Sequence, residues 1–418
     1  MAETVKNSEW PGIPEGVQSR TLPVRDLDVH FFEAGKPTDP LILLLHGFPE
    51  IAYSWRKVIL PLSRAGLGYH VAAPDMRGFG RTKPHDPTAP GATRPIAFED
   101  DLTSFKVLNL AEDIAALVSA LGHESASCLI GHDAGATIAG FSALAHPELF
   151  KSVVFISTPF PGAPAPGGAL YPATVLASGL AALDPPRKHY MLNNSTARAN
   201  DDMWHAPQGL HAFFRGYFHI KSADWAQNDP HPLEPSAAGL GELPHYYVMP
   251  RDATMADVAQ ADAPSAEEVQ RCTWLPDDEL AVYAREYERT GFQGGLNRYR
   301  VTVDAGLAEE LTQLAWKTID VPVMYLCGKK DWGVYQNPGA IDKMQEEACT
   351  DMGEDEMTMV PGAGHWVQQE QPEEFIRRVS NFLKGTPDAV VRIMSRPGFF
   401  KAIQGNAAHR RRGCSRID

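Results

Sequence analysis

Cys128-Leu-Ile-Gly-His-Asp-Ala-Gly-Ala136 is the stretch that decides the fold. It begins inside an apolar run, residues 126–131, which reads as a buried strand. The run passes through Gly131-His-Asp-Ala-Gly135 into a small-residue helix predicted over 134–144. A strand that turns this sharply into a helix needs glycine on either side, because strand and helix pass closely. The middle residue, Asp133, is then thrust out at the end of the sheet with strained backbone angles. An aspartate in that place could also simply cap the helix, so its surroundings must decide.

Working outward, short apolar runs at 29–33, 41–45, 69–74 and 152–157 read as further strands. Between them, 108–121 carries Leu110, Ile114, Leu117, Val118 and Leu121 at helical spacing. Alternating strands and helices predict an α/β fold with a mostly parallel central sheet and helices on both faces. The pattern changes from residue 159 to 318, which is rich in Pro, Gly, Trp and Tyr, with broken helical segments such as 209–218 and 277–288. Strands return at 321–327 and 357–360, and a helix at 372–383. The expected organisation is therefore a core from 1–158, a mainly helical cap insertion at 159–318, the rest of the core at 319–384, and a basic tail at 385–418.

Three features give Asp133 a chemical context. His46-Gly47-Phe48-Pro49 follows the 41–45 strand, where the turn can aim the Phe48 N–H at the same point as the Ala134 N–H. Two such donors make an oxyanion hole. Asp331 follows the 321–327 strand, and His365 lies in Val360-Pro-Gly-Ala-Gly-His-Trp366 after the 357–360 strand. Both positions are C-terminal ends of strands, where loops of α/β folds carry function. Their order along the chain is nucleophile, acid, histidine.

These residues resemble the α/β-hydrolase superfamily and, within it, the soluble epoxide hydrolases. The matching pieces are His46-Gly-Phe-Pro-Glu50, Asp75-Met-Arg-Gly-Phe-Gly-Arg-Thr82, Gly131-His-Asp-Ala-Gly135, Gly291-Phe-Gln-Gly-Gly-Leu-Asn-Arg-Tyr-Arg300 and Gly364-His-Trp366. The first three are shared with dehalogenases; the fourth points to epoxide hydrolases. There the resemblance implies that Tyr299 hangs from the cap into the active site. It also implies a second cap tyrosine within His211-Ala-Phe-Phe-Arg-Gly-Tyr-Phe-His219. Tyr217 is the choice, while a register one helical turn away would put Phe214 at that place. Trp332 and Trp366 adjoin the acid and the histidine as candidate substrate-binding residues.

The chemistry follows from the residue types. A carboxylate is charged at neutral pH and can attack a saturated carbon without first losing a proton. The product is an alkyl ester of Asp133. An epoxide oxygen leaves readily only when a proton donor assists it, and a phenol with pKa near ~10 can act as that acid. His365, oriented by Asp331, would then activate water to hydrolyse the ester, giving a vicinal diol. No metal or cofactor is called for. An Asp-nucleophile dehalogenase, a biosynthetic hydrolase acting on a natural-product epoxide, and a non-catalytic binding protein are the alternatives. Ala134 stands where many dehalogenases have a halide-holding Trp.

The bulk composition fits a soluble protein. Of 418 residues, 38 are basic and 52 acidic, a formal charge of −14 that argues against nucleic acid and anionic membranes as main partners. The five cysteines, Cys128, Cys272, Cys327, Cys349 and Cys414, lack metal-ligand spacing and suggest no disulfide framework. No run approaches the ~20 apolar residues of a membrane span, and the polar N-terminus has no secretory h-region. The expected partners are a small apolar epoxide and water, with a homodimer open, and the expected location is cytoplasmic.

Overall fold

The computed structural model describes residues 3–4, 9–66, 68–168, 176–353 and 356–386. The sheet begins with β1 (Gln18–Val24), β2 (Leu27–Ala34), β3 (Leu41–Leu45) and β4 (His70–Pro74). It continues with β5 (Ala126–His132), β6 (Val153–Ile156), β7 (Val323–Gly328) and β8 (Met357–Val360). Across the sheet the order is β1-β2-β4-β3-β5-β6-β7-β8, with the two-residue strand Glu3–Thr4 paired outside β1 and Lys83–Pro84 paired on β2. The pairs β1–β2 and β2–β4 are antiparallel, and every pair from β4 to β8 is parallel.

Leu41–Leu45 is a run of five apolar residues with no alternation, and all five are buried. That is the pattern of a strand covered on both faces. The covering helices include α1 (Val107–Ala120) and α2 (Ala134–Ala145), which pack on each other, and α2 lies against β5 and β6.

Between β6 and β7 the chain leaves the sheet and returns to pair directly beside its point of departure, Val153 opposite Val323. The excursion carries α3 (Leu210–Lys221), α4 (Asp277–Thr290) and α5 (Gln293–Val303), with α3 packed on α4. It also holds a two-stranded antiparallel ribbon, Arg187–His189 with Val248–Pro250, which the sequence pattern did not suggest. After β8, α6 (Pro372–Gly385) closes the described fold on the short helix Ile59–Ser63. Helix α6 runs to Gly385, so the expected tail from 385 begins inside a helix; residues 387–418 lie outside the described residues.

Two connections fix the cap to the core. Arg56, fully buried, donates through Nε to Glu279 of α4 at 2.9 Å and through Nη1 to Gln369 at 2.7 Å. Gly364, one residue before His365, packs where a Cβ would sit 2.5–2.6 Å from backbone atoms of Lys221, Ser222 and Ala223. Only glycine allows the histidine loop to lie this close to the end of α3.

Candidate active site

Asp133 has φ 51°, ψ −113°, a conformation that L-residues with a Cβ rarely adopt. Its N–H donates to Ile156 O on β6 at 3.1 Å, which holds the turn. The neighbouring glycines are required by space rather than by conformation. A Cβ on Gly131 would lie 2.3 Å from Gly135 O, and one on Gly135 would lie 2.3 Å from Leu45 O. The aspartate offers no side-chain cap to α2, so the capping explanation fails.

Asp133, Asp331 and His365 converge. His365 Nε2 is 3.5 Å from Asp133 Oδ2, and Nδ1 is 3.2 Å from Asp331 Oδ1. All three side chains are buried. Asp331 Oδ1 also accepts the Gly333 N–H at 2.8 Å, which fixes the carboxylate. Ser157, itself at φ 69°, places its hydroxyl 2.8 Å from His365 Nδ1. The Phe48 N–H donates to Asp133 Oδ1 at 3.2 Å. Ala134 opens α2, where first-turn N–H groups have no helical partner. The Phe48 N–H thus already meets the carboxylate, and Ala134 is the residue that follows it at the start of α2.

Electrostatics suit a nucleophile and a base. Burial alone would raise the Asp133 carboxyl, but the charges of Lys221, His365 and Arg298 outweigh it and hold the pKa at about 2. Burial lowers the His365 pKa, the Lys221 charge lowers it further, and Asp331 opposes both. Asp133 is therefore ionised across the ordinary pH range, and His365, charged at the low pH where Asp133 titrates, gives up its proton below the usual histidine range.

Tyr299 lies on α5 with its ring edge-to-face on Phe48 at 5.4 Å, over the turn that follows β3. The ring beside it is Tyr190, at 5.7 Å. Tyr190 opens a short helix, Tyr190–Asn194, directly after the ribbon strand Arg187–His189. Sequence reading missed it because nothing in Lys188-His-Tyr-Met191 announces a site. Tyr217 is buried on α3, packed on Phe213 and 5.6 Å from the Lys221 ammonium. Its neighbour Phe214 faces the aromatic interior of the cap, against Tyr287 and Phe292. Trp366 stands edge-to-face on His365 at 4.5 Å, and its Nε1 donates to Phe218 O at 2.9 Å, so it braces the histidine against the cap. Trp332 is buried below Asp331 in the turn Trp332–Val334 and packs on His231.

A second layer was also missed. Glu50 accepts the Gly47 N–H at 3.0 Å and pairs with His132 Nδ1; His132 Nε2 in turn donates to His365 O at 2.8 Å. Gln368 Nε2 donates to the other Glu50 oxygen at 2.9 Å. This buried relay ties the Gly47 turn to the His365 loop. Asp75 accepts the Ala52 and Arg81 N–H groups at 2.8 and 2.9 Å and so holds the following turn, a structural role. Among the described residues, no group of His, Cys, Asp and Glu could hold a metal ion, and no helix is long and apolar enough to cross a membrane.

A mostly parallel sheet with an aspartate on a sharp strand-to-helix turn after β5, an aspartate and a histidine after β7 and β8, and a helical cap define an α/β hydrolase. Consistently, the family model described as alpha/beta hydrolase fold matches residues 40–177. Epoxide hydrolase A of Mycobacterium tuberculosis is 30% identical over 372 residues, covering 88% of this chain and 97% of that protein. An epoxide hydrolase of Caballeronia sordidicola is 30% identical over 389 residues, covering 92% and 99%. Among solved structures, the epoxide hydrolase from an endophytic Streptomyces superposes with TM-score 0.67 at 29% identity, covering 89% and 96%. The chain belongs to the epoxide hydrolase family of the α/β-hydrolase fold.

Proposed function

We propose that this protein opens an epoxide to a vicinal diol through a covalent alkyl ester on Asp133. The observation that carries the reading is the approach of His365 Nε2 to Asp133 Oδ2, 3.5 Å, with Phe48 N–H already on the other carboxylate oxygen. In the first step an Asp133 oxygen bonds to a ring carbon as the carbon–oxygen bond breaks, and the ring oxygen takes a proton from a cap phenol. Tyr299 is one such phenol. The adjacent ring of Tyr190 makes it the better partner, with Tyr217 as a wall residue beside Lys221. In the second step His365, backed by Asp331 and Ser157, takes a proton from water. The resulting hydroxide adds to the ester carbonyl, and the Phe48 and Ala134 N–H groups receive the oxyanion. Collapse breaks the bond between the carbonyl carbon and the alkyl oxygen; that oxygen takes the proton held by His365, the proton left on the Asp133 carboxyl returns to the cap phenolate, and the diol leaves. The Trp366 indole keeps the imidazole in place; Trp332 supports the Asp331 loop.

This route predicts where the new oxygen comes from. In a single turnover of excess enzyme in ¹⁸O water, the diol carries unlabelled oxygen from Asp133 and the label enters the protein. Label appearing directly in the diol in the first turnover overturns the ester route.

A further inference from the structure

Lys221 is the last residue of α3, only 3% exposed, and plays no part in the steps above. Its ammonium is enclosed by four aromatic rings: Tyr247 at 5.0 Å, Trp366 at 5.4 Å, Tyr217 at 5.6 Å and Tyr246 at 5.9 Å. Its backbone carbonyl accepts the His365 N–H at 2.9 Å, so the chain is pinned at the catalytic loop. Its charge acts on Asp133, Asp331 and Glu50, yet among the described residues no carboxylate lies within ion-pairing distance of Nζ. Buried ammonium groups without a bonded anion are costly, and ring faces offset only part of that cost. Tyr247, whose ring is the nearest of the four, has a buried hydroxyl with no hydrogen-bond partner among the described residues. The nearby Tyr246 hydroxyl, by contrast, is satisfied by Asn228 at 2.7 Å. An ammonium without an ion-pair partner and a phenol without a hydrogen-bond partner, among the described residues, therefore belong to one aromatic cluster next to the histidine.

We infer that Lys221 and Tyr247 form a subsite for a carboxylate carried by the epoxide, making the substrate class epoxy acids. The inference rests on the epoxide reading above and adds the substituent. A planar carboxylate has two oxygens for the two donors, and the surrounding rings exclude water, which strengthens a charge-assisted bond. The chemistry favours the same choice. Alkylation turns Asp133 into a neutral ester and moves its negative charge to the cap phenol that protonates the ring oxygen, so the anion that acts most strongly on Lys221 leaves Asp133 as the intermediate forms. A substrate carboxylate held by Lys221 keeps an anion on the ammonium through both steps.

The test compares trans-3-phenylglycidate with trans-β-methylstyrene oxide, which has a methyl group in place of the carboxylate. The wild type is expected to favour the acid by about tenfold or more in kcat/KM, the scale of one charged hydrogen bond. Lys221→Met brings the ratio to about one or below, and Tyr247→Phe lowers it partway. A wild-type ratio at or below one, or a ratio unchanged in Lys221→Met, overturns the subsite. Should Lys221→Met fail to fold, the wild-type ratio and Tyr247→Phe decide in the same way. Cinnamate, which has an alkene in place of the epoxide, tests binding apart from chemistry. It should raise the Tm of the wild type more than trans-β-methylstyrene does, and this difference should shrink in Tyr247→Phe. Cinnamate binding with neither epoxide turned over would remove the epoxide reading and keep the subsite. Turnover of the neutral epoxide without acid preference or cinnamate binding would do the reverse.

Discussion

Glu279→Gln isolates the contact between cap and core. Arg56 is fully buried, and Glu279 supplies its one carboxylate, through Nε at 2.9 Å and Nη2. Glutamine keeps the shape and one acceptor but leaves the guanidinium charge inside the protein without an anion. Breaking a buried pair from one side typically costs about 3–5 kcal/mol. With an unfolding entropy of roughly 2.1 cal/mol/K per residue, a chain of 418 residues has about 0.9 kcal/mol/K in total. The expected fall in Tm by calorimetry is therefore about 3–6 °C. Arg56 also donates to Gln369, whose Nε2 reaches Glu50, so turnover should fall with it. Replacing both partners, Arg56→Met with Glu279→Leu, should recover most of the Tm, because two apolar groups leave no unpaired charge. A single variant that loses less than about 1 °C, or a double variant no better than the single one, refutes the reasoning.

Tyr299→Phe and Tyr190→Phe should each slow ester formation by about 10²-fold or more in stopped-flow fluorescence. Tyr217→Phe should slow it much less; equal losses at all three positions would mean that the ring pair does not define the acid. Ser157→Ala removes one of two partners of His365 Nδ1 and should slow ester hydrolysis by no more than about tenfold, with ester formation unaffected. Gly364→Ala forces a Cβ to within 2.5–2.6 Å of the α3 terminus. It should lower both Tm and kcat, at a cost of about 1–3 kcal/mol by denaturant unfolding. For pH, the lowered His365 pKa means the neutral base persists below 6.5. The acid limb of the hydrolysis step should therefore fall below pH 6.5, and a limb above it would contradict the assigned environment.

Most of the core was legible because its signals are local. Leu41–Leu45 and Met357–Val360 were read to the residue, and Ala126–His132 to within one, since buried parallel strands are short apolar runs with turn residues at their ends. Gln18–Val24 was missed because only one of its residues is buried, near the sheet edge, with a proline inside and no clean alternation. Asp133, Asp331 and His365 were legible because each stands at a strand end. The cap was harder. Tyr190 sits after a three-residue ribbon strand whose partner, Val248–Pro250, lies some sixty residues on, so no local pattern could place it beside Tyr299. Tyr217 was chosen for its helical segment, and the helix is there, but ring packing on Tyr299 comes from elsewhere. Lys221 and Glu50 were invisible for another reason. A charged residue in sequence reads as a solvated one until the fold shows it buried.

The central claim is that Asp133 becomes an ester that His365 helps to cleave. The most direct measurement is the intact mass of the His365→Gln variant after incubation with an epoxide. The account predicts an added mass equal to the whole epoxide, mapped to the peptide carrying Asp133 and absent in Asp133→Asn with His365→Gln. Diol formation at the wild-type rate with no adduct, or an adduct on any other residue, would contradict it.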